Sequence, residues 1–398
     1  MISIRGSLRR HLDPLGERAV ASGLPPAWLG YRWVSGETVA AHVARTGRGR
    51  YETVHAEAVA SNPLPRNVAD RADLPADRGW WGYSMRDVPE RVSGETFVAT
   101  LPDCRLVFWN DPRKDNFYPA ILTSGGRALN LREIAFRPGH AEALRAGRKA
   151  ARIDKATWVL ERVYHNHSHW LTAHLPKLHL LRTRGGLDDL VLPRRRNAVI
   201  DASLRMLGLD PGAFADFDPD RPLEVGELTL VGTDRFRPEL LRPVREALAP
   251  PRPGAPPGSP PGRRVFISRA RSRGRRLLNE DALWPSLQAA GFERVFMEEL
   301  GFEEQVDLMA GTSVLLAPHG AGLTNMMFCP PGAHVVEIAD LGFPNPNFYA
   351  LACAMGLHYW LVPGSGVGDG HPLDKDLRVD PDAVRGVLAR LDAPEPGG

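Results

Sequence analysis

The stretch "SVLLAPHGAGLTNMMFCPPGAHVVEI", residues 313–338, joins one apolar run to another through a glycine turn, a short helical segment and a Pro-Pro-Gly turn. Apolar runs of this length without polar alternation suit strands buried on both faces, which occur in parallel sheets covered by helices. The same pattern continues outward. Upstream, "RVFIS" (264–268) predicts a strand, "DALWPSLQAAG" (281–291) a helix stopped by Gly291, "ERVFM" (293–297) a second strand and "FEEQVDLMAG" (302–311) a helix stopped by Gly311. Downstream, "NFYALACAMG" and "LHYWLV" add a helix and a strand. Such alternation predicts βαβ units and a Rossmann-like parallel sheet over residues 263–398.

The run "APPRPGAPPGSPPG" (249–262) reads as a linker, because its prolines remove backbone donors and its glycines loosen the chain. A chain of 398 residues exceeds the usual size of a single core, so the linker divides an N-terminal domain, 1–250, from the C-terminal one. In the first, "RLVFWN" (105–110), "ATWVLE" (156–161), "DLVL" (189–192) and "ELTLV" (227–231) predict strands. "SHWLTAHLPKLHLLR" (168–182) predicts a helix with Leu171, Leu175, Leu178 and Leu181 on one face and a bend at Pro176, and "RPELLRPVREAL" (237–248) predicts another. The expectation is α/β throughout, with a ligand held at the carboxyl ends of parallel strands in a cleft between the two halves. Residues 1 to 150 carry no motif, so their function is undefined.

Apolar residues make up 43% and charged residues 24%, which argues for a folded, soluble protein. The net charge of +3 offers no extended track for nucleic acid, and the arginine-rich stretch lacks interleaved aromatics. Cys104, Cys329 and Cys353 are too scattered for a disulfide framework or a CxxC metal site, which fits a reducing compartment. With no signal-like N-terminus and no run of ~18 apolar residues, the expected location is cytoplasmic, and membrane contact would be peripheral.

In "LLAPHGAGLTN" the strand ends at Pro318, and Gly320, Ala321 and Gly322 open a helical turn whose main-chain N–H groups can meet an anion. The same glycines serve equally well to permit a tight turn. Context comes from "GRRVFISRARSRGRR" (262–276), with seven arginines and no acid, where Arg269 follows the strand end. Neighbouring parallel strands open on one edge, so Arg269 and the Gly320 turn can grip a diphosphate from two sides, while most of the other arginines suit a solvated loop. Glu337, at the predicted end of the next strand, can accept from a ribose or simply be solvated, and Asn325 is similarly open. "HGAG" is also found in esterases, but no GxSxG elbow accompanies it, and no Walker loop is present.

"YHNHSHWLTAH" gathers His165, His167, His169 and His174 within ten residues. A histidine can take a proton from an incoming hydroxyl. No carboxylate or cysteine completes a metal site nearby, so no metal is inferred, and the DxD triplets at Asp216/Asp218 and Asp374/Asp376 follow no apolar strand. A hydrolase built on a histidine-bound metal ranks last among the readings.

Taken together, "VFISR", "RRLLNED", "GFEEQ" and "HGAGLTN" resemble, in order, the SR, RxxxNE, EQ and HGAGLTN signatures of glycosyltransferase family 61, which includes capsular polysaccharide biosynthesis proteins. "NHSHWLTAHLPKL" resembles the family's N-x-x-H-W and L-P-x-L segment through Asn166, His169, Trp170, Pro176 and Leu178; His165 and His167 stand outside it. The resemblance covers about half of the chain. It implies a GT-B architecture, two Rossmann-like domains facing each other across a cleft, and an inverting glycosyltransferase. Its nucleotide-sugar donor, UDP-linked in this reading, is held without a further cofactor by Arg269, Gly320, Ala321, Gly322, Asn325 and Glu337. His169 is then the expected base, and His319 either a second catalytic group or a brace for the turn. The acceptor is a glycan or lipid-linked hydroxyl in surface polysaccharide assembly, at the inner face of a membrane. A non-catalytic nucleotide-sugar or polysaccharide binding module of the same fold is the alternative.

Overall fold

The computed structural model describes residues 15–16, 18–19, 22, 24–111, 116–250 and 262–391. They form two compact units, both discontinuous in sequence. The first takes residues up to Glu57, Gly94–Asn197 and Asp210–Asp234, and the second takes Ala58–Ser93, Ala198–Leu209 and everything from Arg235 onward. The second therefore includes segments that the sequence reading assigned to the N-terminal domain. The proline-rich stretch 251–261 lies outside the described residues.

In the first unit, a seven-stranded sheet contains β1 (Gly36–Thr38), β2 (Arg50–His55), β3 (Thr96–Asp111), β4 (Asn116–Leu122), β5 (Ala128–Asn130), β6 (Ala151–Trp158) and β7 (Leu223–Gly232). Its order is β1-β5-β4-β3-β7-β6, with β2 also on β3. Only β1·β5 and β6·β7 are parallel. The pairs β2·β3, β3·β4, β4·β5 and β3·β7 are antiparallel. This corrects the expectation of a Rossmann-like sheet here. Residues 112–115 are too short a connection for the crossover that a parallel β3·β4 pair would need. The predicted strand 189–192 forms, as Val191–Pro193, a separate parallel pair with Ala215–Phe217.

After β6 the chain enters one helical turn (His167–His169), a π-helical turn (Trp170–His174) and α1 (Leu175–Thr183). The Leu175 N–H donates to the Trp170 carbonyl, five residues back. That widened turn sits where Pro176, lacking an N–H, would interrupt regular α-helical bonding. Leu171, Leu175, Leu178 and Leu181 are all buried, as their spacing predicts.

The second unit contains β8 (Arg263–Ile267), β9 (Phe292–Val295), β10 (Thr312–Pro318), β11 (His334–Asp340), β12 (His358–Val367) and β13 (Asp376–Val379). The order is β9-β8-β10-β11-β12-β13; the first five strands are parallel, and β13 is antiparallel to β12. The helices are α2 (Ala198–Met206), α3 (Pro238–Leu248), α4 (Glu280–Ala289), α5 (Phe302–Ala310), α6 (Asn347–Met355) and α7 (Pro381–Leu391). Phe266, Leu316, Val336 and Val362 pack one face of the sheet against Leu283 and Leu287 of α4 and Val384 and Leu388 of α7. This is the doubly wound sheet expected from the sequence. The chain goes from β8 to β9 on one side and returns to β10 on the other, so the carboxyl ends of β8 and β10 flank the switch point where such sheets take ligands.

Residues 58–93 are stitched onto this unit. Asn67 clasps Leu361 with a bond in each direction, at 2.7 and 3.0 Å. The Arg66 N–H donates to the Tyr359 carbonyl at 2.7 Å, and the Tyr349 hydroxyl donates to the Pro63 carbonyl at 2.7 Å. Among the described residues no helix is long and apolar enough to cross a membrane.

Candidate functional site

Ser268 follows β8 and is buried. Its hydroxyl donates to Glu280 Oε1 at 2.6 Å and accepts from the Ala270 N–H at 3.2 Å. Burial raises the Glu280 pKa above the usual carboxylate value, against the bond from Ser268. Asn279, beside it, clasps the main chain of Val379 at 2.7 and 3.2 Å. The serine of "SR" and the two residues of "NE" thus close the loop 268–280 at both ends, and Arg269 is presented from it.

The Arg269 guanidinium is held by two carbonyls, with Nε donating to Arg275 at 3.0 Å and NH2 to Gly274 at 2.8 Å. That leaves NH1 over the main chain of Gly320, where an added Cβ would lie 2.1 Å away from it. Gly320 has φ 173°, an extended backbone open to any residue, so glycine matters here for room rather than conformation. At Gly322 a Cβ would make only ordinary 3.5 Å contacts with Ile267 and Met297. The N–H groups of Gly320, Ala321 and Gly322, at the head of the 3-10 helix Ala321–Phe328, donate to no acceptor among the described residues.

No carboxylate among the described residues pairs with Arg269 or Arg275, whereas Arg271 pairs with Glu299 and Arg276 with Asp376. Burial and the neighbouring Arg275 charge bring the Arg269 pKa down to about 10, and burial lowers that of Arg275 as well. Two partly dehydrated guanidiniums with no carboxylate in ion-pair contact, one of them over main-chain N–H groups, form a site suited to an anion. The arginine-rich loop is therefore less solvated than its composition suggests.

His319 continues from β10. Its Nδ1 bonds Glu337 Oε1 at 2.5 Å, and its Nε2 meets Asn345 Nδ2 at 3.1 Å. The Asn345 amide is oriented by the Asn347 N–H, which donates to Oδ1 at 3.0 Å. His319 therefore carries its proton on Nδ1 and accepts at Nε2. Glu337 has no exposed surface, and its other oxygen accepts from the Tyr359 hydroxyl at 2.6 Å. This corrects the ribose role expected of Glu337: β11 continues to Asp340, so Glu337 is inside the sheet and orients His319 instead.

Asn325 is corrected in the same way. It is fully buried and donates to Gln305 Oε1 at 2.9 Å, while Gln305 Nε2 donates to the Met297 and Leu300 carbonyls at 3.0 and 3.1 Å. Asn325 and the glutamine of "EQ" brace the turn from below rather than contact a donor.

Glu298 and Glu299, in the 3-10 turn Met297–Glu299 after β9, escaped the sequence reading. Glu298 acts by charge on Arg269, and Glu299 pairs with Arg271, whose guanidinium lies 4.0 Å from the Phe296 ring centroid. The available signal was their place: in a Rossmann-like unit the end of the second strand is where an acid meets a ribose.

His169 lies in the first unit, where its main-chain N–H donates to Asn166 Oδ1 at 3.2 Å and caps the helical turn. Among the described residues no cluster of three or more His, Cys, Asp or Glu is arranged to hold a metal. Asp216 and Asp376 of the two DxD triplets are in ion pairs with Arg196 and Arg276. A cavity of about 610 Å³ in the first unit, lined by Tyr31, Arg105, Arg152 and Glu224, contains none of the predicted site residues.

The second unit is thus a doubly wound α/β unit with a group of main-chain N–H donors and a guanidinium suited to an anion at its switch point. Residues 167–336 match the family model Glycosyltransferase 61, the family that the signatures resemble, and this segment is of the family 61 type. Curated relatives are similar over shorter stretches. The EGF domain-specific O-linked N-acetylglucosamine transferase of Drosophila melanogaster is 36% identical over 110 residues, 26% of this chain and 21% of that protein. The protein O-linked-mannose β-1,4-N-acetylglucosaminyltransferase 2 of Takifugu rubripes is 37% identical over 99 residues, 23% of this chain and 17% of that protein. The β-1,2-xylosyltransferase XAX1 of Oryza sativa subsp. japonica is 37% identical over 126 residues, 30% of this chain and 21% of that protein. The chain spans about a fifth of the length of these relatives.

Proposed function

We propose that this chain is an inverting glycosyltransferase using a nucleotide-diphosphate sugar, with a GT-B-like division of labour in which the second unit takes the donor. The observation that carries the reading is the Arg269 guanidinium, locked by two carbonyls and lying over the bare backbone of Gly320 beside unengaged N–H groups. In the transfer an acceptor hydroxyl oxygen bonds to the anomeric carbon, its proton passes to His169, and the sugar–phosphate bond breaks with its electron pair leaving on the nucleoside diphosphate. Negative charge grows on that diphosphate, and Arg269, Arg275 and the Gly320–Gly322 amides face it without rearranging. The ribose falls to Glu298 or Glu299, on the β9 side. His319 holds the turn through Glu337 and Asn345. The relatives' printed names support N-acetylglucosamine or xylose as the sugar class, and the reading extends to a UDP-linked donor, a glycan or lipid-linked acceptor, and surface polysaccharide assembly at the cytoplasmic face of a membrane.

Two variants test this. Gly320→Ala is expected to displace the guanidinium and weaken UDP binding roughly tenfold, the value of one charge-assisted hydrogen bond, with little change in melting temperature. His169→Ala is expected to leave UDP binding intact in calorimetry and to slow transfer at least about 100-fold. Full turnover by His169→Ala would remove His169 as the base. Absence of nucleotide release by the unmodified protein across a panel of donors and acceptors would favour a binding module instead.

A further inference from the structure

The loops that follow β11 and β12 open on the same edge of the sheet as Arg269 and His319. Phe343 is in the first and His371 in the second. Trp80, brought in by the segment 58–93, meets both edge-on, with ring centroids 6.4 Å from Phe343 and 5.1 Å from His371. It is 58% exposed. Its neighbour Trp81 packs on Phe343 at 6.2 Å and donates from Nε1 to the Pro344 carbonyl at 3.1 Å. The Tyr83 hydroxyl donates to Asn347 Oδ1 at 2.8 Å. An indole is thus fixed at the rim by contacts from two sequence-distant loops. Two residues beyond Phe343, the Asn345 amide donates to His319 Nε2 at 3.1 Å.

Polar groups stand beside the rings. The Phe343 N–H donates to the Asp340 carbonyl at 3.1 Å, and the Asp340 carboxylate and Lys375 stem converge on Gly366, where an added Cβ would meet them at 2.4 and 3.2 Å. The exposed indole suits the C–H face of a sugar ring, and the Asp340 carboxylate, at the start of the Phe343 loop, suits hydroxyls around such a ring's edge.

Topology separates this rim from the nucleoside. With the diphosphate between β8 and β10 and the ribose on the β9 side, the end of the ligand leaving toward β11 and β12 is the sugar. We propose that Trp80, with Phe343 and His371, is a pyranose-binding platform that sets sugar specificity, an inference that rests on the diphosphate placement proposed above. All three residues lie outside the matched segment 167–336, which carries Arg269 and the Gly320 turn.

The ring bound is either the transferred sugar or the acceptor's terminal sugar, and binding measurements on the full chain distinguish them. UDP, UDP-N-acetylglucosamine, UDP-xylose and methyl pyranosides of the gluco, galacto, manno and xylo series serve as probes, by calorimetry and saturation-transfer NMR, against Trp80→Ala, Trp80→Phe and Arg269→Ala. Trp80→Ala should leave UDP affinity unchanged and cost roughly tenfold in one sugar arm, with recovery in Trp80→Phe. Loss on a UDP-sugar alone marks the transferred sugar, and loss on a methyl pyranoside marks the acceptor. Weakened UDP itself in Trp80→Ala would make the platform a nucleobase site and overturn the proposal, as would unchanged sugar arms. UDP binding that is insensitive to Arg269→Ala defeats the diphosphate placement separately, because the pyranoside arm is read without UDP.

Discussion

Replacing Arg269 with alanine is expected to lower kcat/KM roughly 10³-fold, the upper range for removing one preorganised donor from a site of developing charge. Nε and NH2 are already committed to the carbonyls of Arg275 and Gly274, so the alanine variant loses NH1, the arm left for the ligand, and also the group that ties the loop together. Arg269→Lys should recover little. An ammonium is a point charge that cannot span two carbonyls and still face Gly320. Calorimetry with UDP and turnover with the best donor make the measurement. UDP affinity within a factor of two of the unmodified protein would sink the assignment.

The parts of this arrangement differ in how openly they were written. The second sheet was legible because its parallel strands are buried on both faces, so "VFI" and "VLLA" are continuous apolar runs and "HVVEI" a mostly apolar one. Arg269 and Gly320 were legible because adjacency in a parallel sheet places strand ends together. Glu337 was misread because the apolar run stops at Ile338 while the strand continues to Asp340, and only the register shows the carboxylate turned into the sheet. Asn325 reads as a donor contact by its place in the turn, yet its amide donates to Gln305. The first sheet was hidden because the 16 residues of β3 serve β2, β4 and β7 along different stretches, which no local periodicity records. The recruitment of 58–93 rests on contacts across nearly 300 positions in sequence, such as Asn67 with Leu361, and leaves no local signature.

The first unit has its own large prediction. Lys177→Ala is expected to destabilise it by roughly 3–5 kcal/mol, the effect of stranding a buried charge. Lys177 and Glu161 are each 2% exposed and form an ion pair, and Arg132 reaches the second Glu161 oxygen at 2.6 Å. Burial alone would raise the Glu161 pKa, but Lys177, Arg132 and His174 together hold it below the usual value, while burial lowers that of Lys177. Without the ammonium, Glu161 keeps Arg132 and His174 but loses its largest favourable charge, and its folded pKa rises. Because the variant's folded pKa lies above that of the unmodified protein, the deficit of Lys177→Ala is complete above the variant's folded pKa and shrinks as pH falls through it, so it should be larger at neutrality than at pH ~4. Urea titrations at both pH values measure it. The double variant Lys177→Met/Glu161→Leu, which removes the pair rather than one partner, should recover much of the loss. Lys177 stands one turn beyond the π-helical segment that follows His169, so the single variant should also lower transfer, whereas the double variant restores stability and tests whether the charges or merely the packing hold that helix. A deficit below about 1 kcal/mol in Lys177→Ala, the range of an exposed pair, would show that the network is hydrated and does not anchor the histidine.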